Sequence, residues 1–177
     1  MKITDARIIS AKRFAIHAHG NINQRRKYTS IPYVFHSIEV ANLVIQVTDD
    51  PSMIAAAFLH DVVEDTAITL TTIHSLFGVD VGNLVDELTD ISKLSDGNRA
   101  TRKAIDRDHT AQASSRAKTI KLADTINNLS DIIFYDKTFS RIYMKEKALL
   151  LPKLKDGDSV LYAQTQNLLD AGQNSLV

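Results

Sequence analysis

The sequence contains no cysteine, so disulfides and thiolate metal sites are excluded, and a reducing cytoplasmic location is expected. Six glycines and three prolines are spread over 177 residues without any low-complexity tract. No apolar run approaches the roughly 20 residues that a membrane span needs. The 21 basic and 21 acidic side chains balance, which disfavours nucleic acid or an anionic membrane as a partner. These features predict one globular domain over residues 1–177 that acts away from membranes and nucleic acids.

Apolar residues recur at helical spacing along most of the chain, and no alternating strand pattern competes with them. Helix starts are marked by residues that cap an N-terminus, most clearly Asp50 followed by Pro51. Further caps are expected at Thr4, Thr69, Asp80 and either Ser114 or Ser115. The pattern predicts an all-α protein, a helical bundle of about 8–10 helices.

One stretch, residues 55–66, joins an apolar segment to a cluster of ionisable side chains. If this stretch is helical, His60 shares a face with Glu64, and Asp61 shares one with Asp65. Burying these charges without partners would cost several kcal/mol or more. A bound cation is the simplest way to accommodate them, and the stretch therefore predicts a metal site.

Two residues elsewhere in the sequence are candidates to complete that site. His36 precedes His60 by 24 residues, enough for two antiparallel helices to bring both imidazoles together. Asp124 lies beside an apolar helical stripe and shares a face with Asn128. Taken alone, His36 is equally a core or surface histidine, and Asp124 an ordinary helix-surface charge. Together with Asp61 they offer two nitrogens and two oxygens, a set that suits Mn²⁺, Fe²⁺ or Zn²⁺.

Glu64 and Asp65 exceed what one metal ion needs. They are either the solvated end of a helix or acid/base groups that orient and deprotonate a metal-bound water. An acidic pocket repels phosphate, so catalysis on a phosphate ester would need cations nearby. Residues 25–27, Arg-Arg-Lys, supply them shortly before His36, although such a run is also typical of a solvated loop. Arg141 is a further candidate.

Several of these segments occur together in one known family. The chain resembles the HD-domain metal-dependent phosphohydrolases, and more specifically the (p)ppGpp hydrolase domain of the RelA/SpoT family and its small stand-alone members. The resemblance covers about residues 14–147 and includes Arg26-Lys27. Its segments are PYVFH at 32–36, AAFLHDVVEDT at 56–66, IHSLFG at 73–78, LVDELT at 84–89 and AKTIKLAD at 117–124.

The resemblance implies a fold, a reaction and a role for each matching residue. The implied fold is the helical HD domain, and the implied reaction is hydrolysis of the 3′-pyrophosphate of ppGpp or pppGpp to GDP or GTP and pyrophosphate. One metal ion, usually Mn²⁺, would be held by His36, His60, Asp61 and Asp124. The matching positions imply water activation by Glu64 and Asp65, nucleotide contacts from Arg26 and Lys27, a ribose contact from Asn128 and phosphate binding by Arg141.

One departure from the family pattern supports an alternative substrate. Relatives commonly read Lys-Leu-Ala-Asp-Arg-Leu-His-Asn, whereas this chain has Thr125, Ile126 and Asn127 in the middle of that segment. An HD phosphohydrolase acting on another nucleotide phosphate is therefore one alternative. A non-catalytic alarmone-binding domain is a second, separate alternative. The sequence does not distinguish ppGpp from pppGpp, and it is compatible with a homo-oligomer.

Overall fold

The computed structural model describes residues 5–175 of the chain, with side chains for residues 5–173. Within that range the regular structure is helical, and the one β-type pairing is an isolated bridge between Arg25 and Pro32. The all-α prediction is confirmed. The described helices form two compact units that divide after Thr89. The prediction of one domain over residues 1–177 stays a prediction.

Most of the residues predicted as caps lie at the start of a helix. Asp50 accepts hydrogen bonds from the backbone of Ser52 and Met53, at 2.9 and 3.3 Å. Thr69 and Ser114 cap their helices in the same way. Asp80 does not, because its helix begins at Val79 and Asp80 lies within the first turn, where its charge favours the helix dipole. Thr4 lies outside the described residues, and Asp5 caps the first helix.

The first unit is organised around its third helix. From Ser52 to Leu59 every residue of that helix is buried, and it packs against the first, second and sixth helices. Alanines at 55–57 let these neighbours approach closely, while Phe58 and Leu59 fill the remaining space. The helices of this unit are α1 (Ala6–Asn21), α2 (Val34–Ile45), α3 (Pro51–Leu59), α4 (Val62–Asp65), α5 (Leu70–Phe77) and α6 (Val79–Leu88).

The second unit is organised around a long helix that packs against the two helices following it. Its buried stripe includes Leu122, Ile126 and Leu129, as the apolar spacing predicted. The α-helices of this unit are α7 (Arg99–Gln112), α8 (Ser115–Tyr135), α9 (Lys137–Leu150) and α10 (Ser159–Ser175). Short 3-10 turns occur at Leu94–Asp96 and Leu151–Leu154. None of the helices described is long and apolar enough to cross a membrane.

The close packing of α5 on α6 depends on a glycine. A Cβ atom at Gly82 would overlap the imidazole ring of His74. We expect Gly82→Ala to lower the free energy of unfolding by about 1–3 kcal/mol, the usual cost of overpacking. Gly20→Ala is the matched control, since a Cβ there meets nothing within 4 Å and alanine favours the helix. Urea unfolding of both variants measures the effect, and equal destabilisation would contradict the packing argument.

Candidate metal centre and its surroundings

The ionisable stretch does not form one continuous helix. Helix α3 ends at Leu59, His60 is its C-cap, and α4 starts again at Val62. The reason is local, because Nδ1 of His60 donates a hydrogen bond to the carbonyl of Ala57 at 2.9 Å and so occupies an acceptor of the last turn. Of the two predicted i, i+4 pairs, Asp61 and Asp65 keep the helical hydrogen bond: the backbone N–H of Asp65 donates to the Asp61 carbonyl at 2.9 Å.

Helices α2 and α3 bring the two predicted histidine ligands together. His36 and His60 are 1% and 2% exposed, and their Nε2 atoms lie 3.3 Å apart. The Oδ2 atom of Asp61 lies 2.9 Å from Nε2 of His60 and 3.4 Å from Nε2 of His36. Because Nδ1 of His60 carries the proton given to Ala57, its neutral ring presents a bare Nε2 to these neighbours. A positive charge, either a proton or a metal ion, is therefore needed among the three side chains.

Asp61 is held in that position by Tyr33. The Tyr33 hydroxyl donates to Oδ2 of Asp61 at 2.6 Å, and its ring contacts that of His36. Burial alone would raise the pKa of Asp61, but when the positive charge of the site is a proton on the imidazoles, the charge of His60 and hydrogen bonds from His36 and His60 hold it well below its usual range. Asp61 is thus kept as an anion, which is the form that binds a metal.

The two predicted acid/base residues lie one turn further along the chain. Glu64 and Asp65 are both exposed residues of α4. Loss of water around the Asp65 carboxylate and the nearby charge of Asp61 raise its pKa, while a hydrogen bond from Gln24 opposes the rise. That bond joins Gln24 Nε2 to Asp65 Oδ2 at 2.9 Å. A carboxylate with a raised pKa accepts a proton more readily than an ordinary aspartate.

Asp124 lies in the middle of α8 in the second unit and is 5% exposed. Asn128 donates to its Oδ1 atom at 2.6 Å, as the four-residue spacing predicted, and Lys121 lies 3.4 Å from its Oδ2 atom. Among the described residues, the buried candidate metal ligands are His36, His60 and Asp124. The donor types fit a borderline transition metal, and a common ion for all the predicted ligands stays a prediction.

The predicted substrate-binding cations are placed in two different settings. Arg25 donates a hydrogen bond to the Ser30 carbonyl at 2.9 Å and so closes its own loop. Arg26 and Lys27 are the basic residues that follow it in that loop. The Lys27 ammonium lies 4.8 Å from the ring centre of Tyr28. In the second unit, Arg141 is exposed on α9 and lines a pocket with Met144, Lys145 and Gln173.

Comparison with known proteins agrees with these features. Residues 11–144 match the family described as HD domain, which is well over half of the chain. The chain belongs to the HD domain family. Members of this family are metal-dependent, which agrees with the candidate ligands His36, His60 and Asp124 of this HD domain.

The relatives of this HD domain include named hydrolases. The guanosine-3′,5′-bis(diphosphate) 3′-pyrophosphohydrolase MESH1 of Xenopus tropicalis is 38% identical over 130 residues, covering 72% of this chain and 70% of that protein. The Drosophila melanogaster protein of the same name is 39% identical over the same shares. A solved structure of a metazoan orthologue of SpoT, described as hydrolysing ppGpp and acting in starvation responses, gives a TM-score of 0.86. It is 30% identical, and the match covers 100% of both chains. The resemblance to (p)ppGpp hydrolases and the HD-domain fold are confirmed.

The sequence did not reveal all of the polar groups around this centre. His19 and Gln24 were not predicted to be functional, although both lie in the hydrogen-bond network of Asp65. His19 is at the end of an amphipathic helix and Gln24 is in a polar loop, so neither has a distinguishing spacing. Their proximity to the Arg-Arg-Lys run was the one available signal.

A partly buried ionic network in the second unit was also missed. Lys103 pairs with Asp90 and lies 3.3 Å from Asp106, whose carboxylate also accepts two hydrogen bonds from Ser92. Burial, together with the charge of a neighbouring lysine at 121, lowers the pKa of Lys147 to about 8. Lysines spaced along α7, α8 and α9 carry no sequence signal that they converge on one another.

Removing the Tyr33 hydroxyl tests whether Asp61 is a metal ligand. We expect Tyr33→Phe to weaken Mn²⁺ binding by about tenfold, because losing the hydrogen-bond partner of a metal ligand costs roughly 10- to 100-fold in affinity. Titration calorimetry with Mn²⁺ measures the change, and Tyr162→Phe in α10 is the matched control. Identical affinities for Tyr33→Phe and the control would show that Asp61 does not bind the ion.

The lowered pKa of Lys147 predicts how stability depends on pH. Its folded pKa of about 8 lies below the ordinary value of 10.5, so the penalty for burying the charge is complete below pH 8 and fades as the pH rises toward 10.5. We expect Lys147→Met to be more stable than the original protein at pH 7, with a smaller gain at pH 10. Urea unfolding at both pH values measures this, with Lys153→Met at an exposed position as control. A gain independent of pH would contradict the expectation.

Proposed function

We propose that this HD domain hydrolyses the 3′-pyrophosphate of ppGpp or pppGpp and releases pyrophosphate with GDP or GTP. The observation that carries the proposal is the buried meeting of the His36 and His60 Nε2 atoms with the Asp61 carboxylate. The names of the relatives support the choice of substrate. The absence of cysteine agrees with a cytoplasmic location, which is part of the same proposal.

A single Mn²⁺ ion, with Fe²⁺ or Zn²⁺ as alternatives, fits the donor types of His36, His60, Asp61 and Asp124. When bound, such an ion lowers the pKa of a coordinated water and polarises the scissile phosphate. The Ala57 carbonyl fixes the tautomer of His60, so that its Nε2 atom is free of a proton. The Tyr33 hydroxyl keeps the Asp61 carboxylate directed at the two imidazoles.

Glu64 and Asp65 are proposed to take up the proton of the attacking water. The water oxygen forms a bond to the phosphorus attached to the ribose O3′ atom, the O3′–P bond breaks, and O3′ acquires a proton. Asp65 is proposed as the main base of the two, since its raised pKa makes its carboxylate more basic than an ordinary aspartate. Substrate charge is proposed to be met by Arg26, Lys27 and Arg141, with Asn128 contacting the ribose side.

The departures at Thr125 and Ile126 give little support to a different nucleotide. Thr125 and Ile126 are buried in the second unit, at 1% and 4% exposure. The Thr125 hydroxyl donates to the Lys121 carbonyl at 2.8 Å, so it serves its own helix. Both substitutions therefore concern packing within α8 more than the recognition of a base or sugar.

An assay on ppGpp with added Mn²⁺ and identification of products tests the proposal. We expect release of pyrophosphate and GDP, with no orthophosphate. His60→Ala should lower the rate by more than about 100-fold, because loss of a ligand costs more than loss of a ligand's hydrogen-bond partner. His17→Ala, at an exposed histidine of α1, is the matched control and should leave the rate unchanged.

The products separate the alternatives. Orthophosphate release, or faster hydrolysis of another nucleotide, would favour a different HD phosphohydrolase. Stoichiometric metal and ppGpp binding without turnover would favour a non-catalytic alarmone-binding domain. An unmodified, Mn²⁺-loaded protein that leaves ppGpp intact, like its His60→Ala variant, would overturn the proposed activity.

A further inference from the structure

Gln24 is held by hydrogen bonds at its backbone N–H, at its backbone carbonyl and at both ends of its side-chain amide. Its backbone N–H donates to the His19 carbonyl at 3.0 Å, and its carbonyl accepts from the Tyr33 N–H at 2.9 Å. Its side-chain amide spans from the His19 ring to the Asp65 carboxylate. The two backbone hydrogen bonds fix the position of the Gln24 backbone, from which its half-buried side chain reaches both groups.

The direction of the Gln24 amide is set by His19. Nδ1 of His19 lies 2.7 Å from Oε1 of Gln24, while Nε2 of His19 is buried and makes no hydrogen bond among the described residues. A buried N–H without an acceptor is costly, so the proton of the neutral ring belongs on Nδ1. His19 then donates to Oε1, and the NH₂ group of Gln24 must face Asp65. The opposite amide orientation would place an oxygen against the carboxylate.

Asp65 needs such a donor to stay where it is. It lies at the end of the one-turn helix α4, and its pKa is raised first by loss of water and then by the charge of Asp61, which repels the Asp65 carboxylate. Without a hydrogen bond, an exposed aspartate beside another anion would turn toward solvent. The Gln24 amide supplies the donor at 2.9 Å.

We infer that Gln24 and His19 are positioning residues for Asp65: His19 orients the Gln24 amide, and that amide holds the carboxylate in place for the reaction. The inference rests on the proposed function, in which Asp65 takes up the proton of the attacking water. Neither residue touches the substrate in this scheme, and both act through Asp65.

The values of kcat and KM for ppGpp hydrolysis test the contacts that run from His19 through Gln24 to Asp65. We expect Gln24→Leu to lower kcat by about 10- to 100-fold with KM changed by less than about threefold, the range for loss of a supporting hydrogen bond. Gln166→Leu is the matched control, because it removes a Gln–Asp hydrogen bond of 3.0 Å on the exposed face of α10. Mn²⁺ affinity should be unchanged in both variants.

Two substitutions at His19 separate positioning from packing. Asparagine carries an N–H close to the place of the histidine Nδ1, so His19→Asn should keep kcat within about threefold, whereas His19→Leu should lower it by about tenfold. In the Gln24→Leu background His19→Leu should have no further effect, since the two residues act in series. Equal losses in His19→Asn and His19→Leu, or additive losses in the double variant, would overturn the inference.

A measurement without substrate keeps this test separate from that of the proposed function. The ¹⁵N NMR shifts of the His19 ring in the unmodified protein should show a protonated Nδ1 and a bare Nε2. A proton on Nε2 would overturn the inference whatever the activity. If the unmodified protein leaves ppGpp intact but shows the expected tautomer, the proposed function fails and the arrangement of His19 and Gln24 stands.

Discussion

The buried contact between two imidazole nitrogens and one carboxylate is the constraint on which the rest of the first unit depends. At 3.3 Å between His36 and His60, and 2.9 Å from His60 to Asp61, the three groups cannot all be bare acceptors. Removing them from water costs several kcal/mol unless positive charge lies among them. Burial of the apolar helix α3 offsets that cost. Each of its residues from Ser52 onward is buried, so the end of the helix is fixed in the core.

The loop between α1 and α2 supplies the hydrogen bonds that complete this arrangement. Near its start Gln24 reaches Asp65, and at its end Tyr33 reaches Asp61. Between them, Arg25 fastens the loop to the Ser30 carbonyl, with Ser30 itself in a left-handed conformation at φ 57°. One loop thus orients both carboxylates and presents the basic residues. In isolation its polar composition predicts only a solvated connection. In the structure its polar side chains contact the two carboxylates, close the loop and supply the basic residues.

Local signals in the sequence predicted most of the fold but only part of the site. Capping side chains act within three residues, so Asp50, Thr69 and Ser114 were found from sequence alone. Asp80 was assigned wrongly because an aspartate is favourable both at a cap and in the first turn. The break at His60 depends on a side-chain bond to Ala57 that competes with the backbone, and helical spacing carries no information about it. His19 acts through a tertiary contact with a loop residue, for which there is no periodic signal at all.

The two aspartates of the short α4 region show how environment assigns different roles to one residue type. Asp61 receives a hydroxyl donor and two imidazoles, and its pKa is held well below the usual range, so it remains an anion. Asp65, one turn later, meets a single amide and the charge of Asp61, and its pKa is raised. Neighbouring carboxylates whose pKa values are pushed apart in this way are suited to different tasks, and the proposed function assigns the ligand role to Asp61 and the base role to Asp65. Exchanging the two environments would raise the pKa of the carboxylate that faces the imidazoles and lower that of the carboxylate that faces Gln24, so the order of the two aspartates along the turn sets which of them binds a proton more tightly.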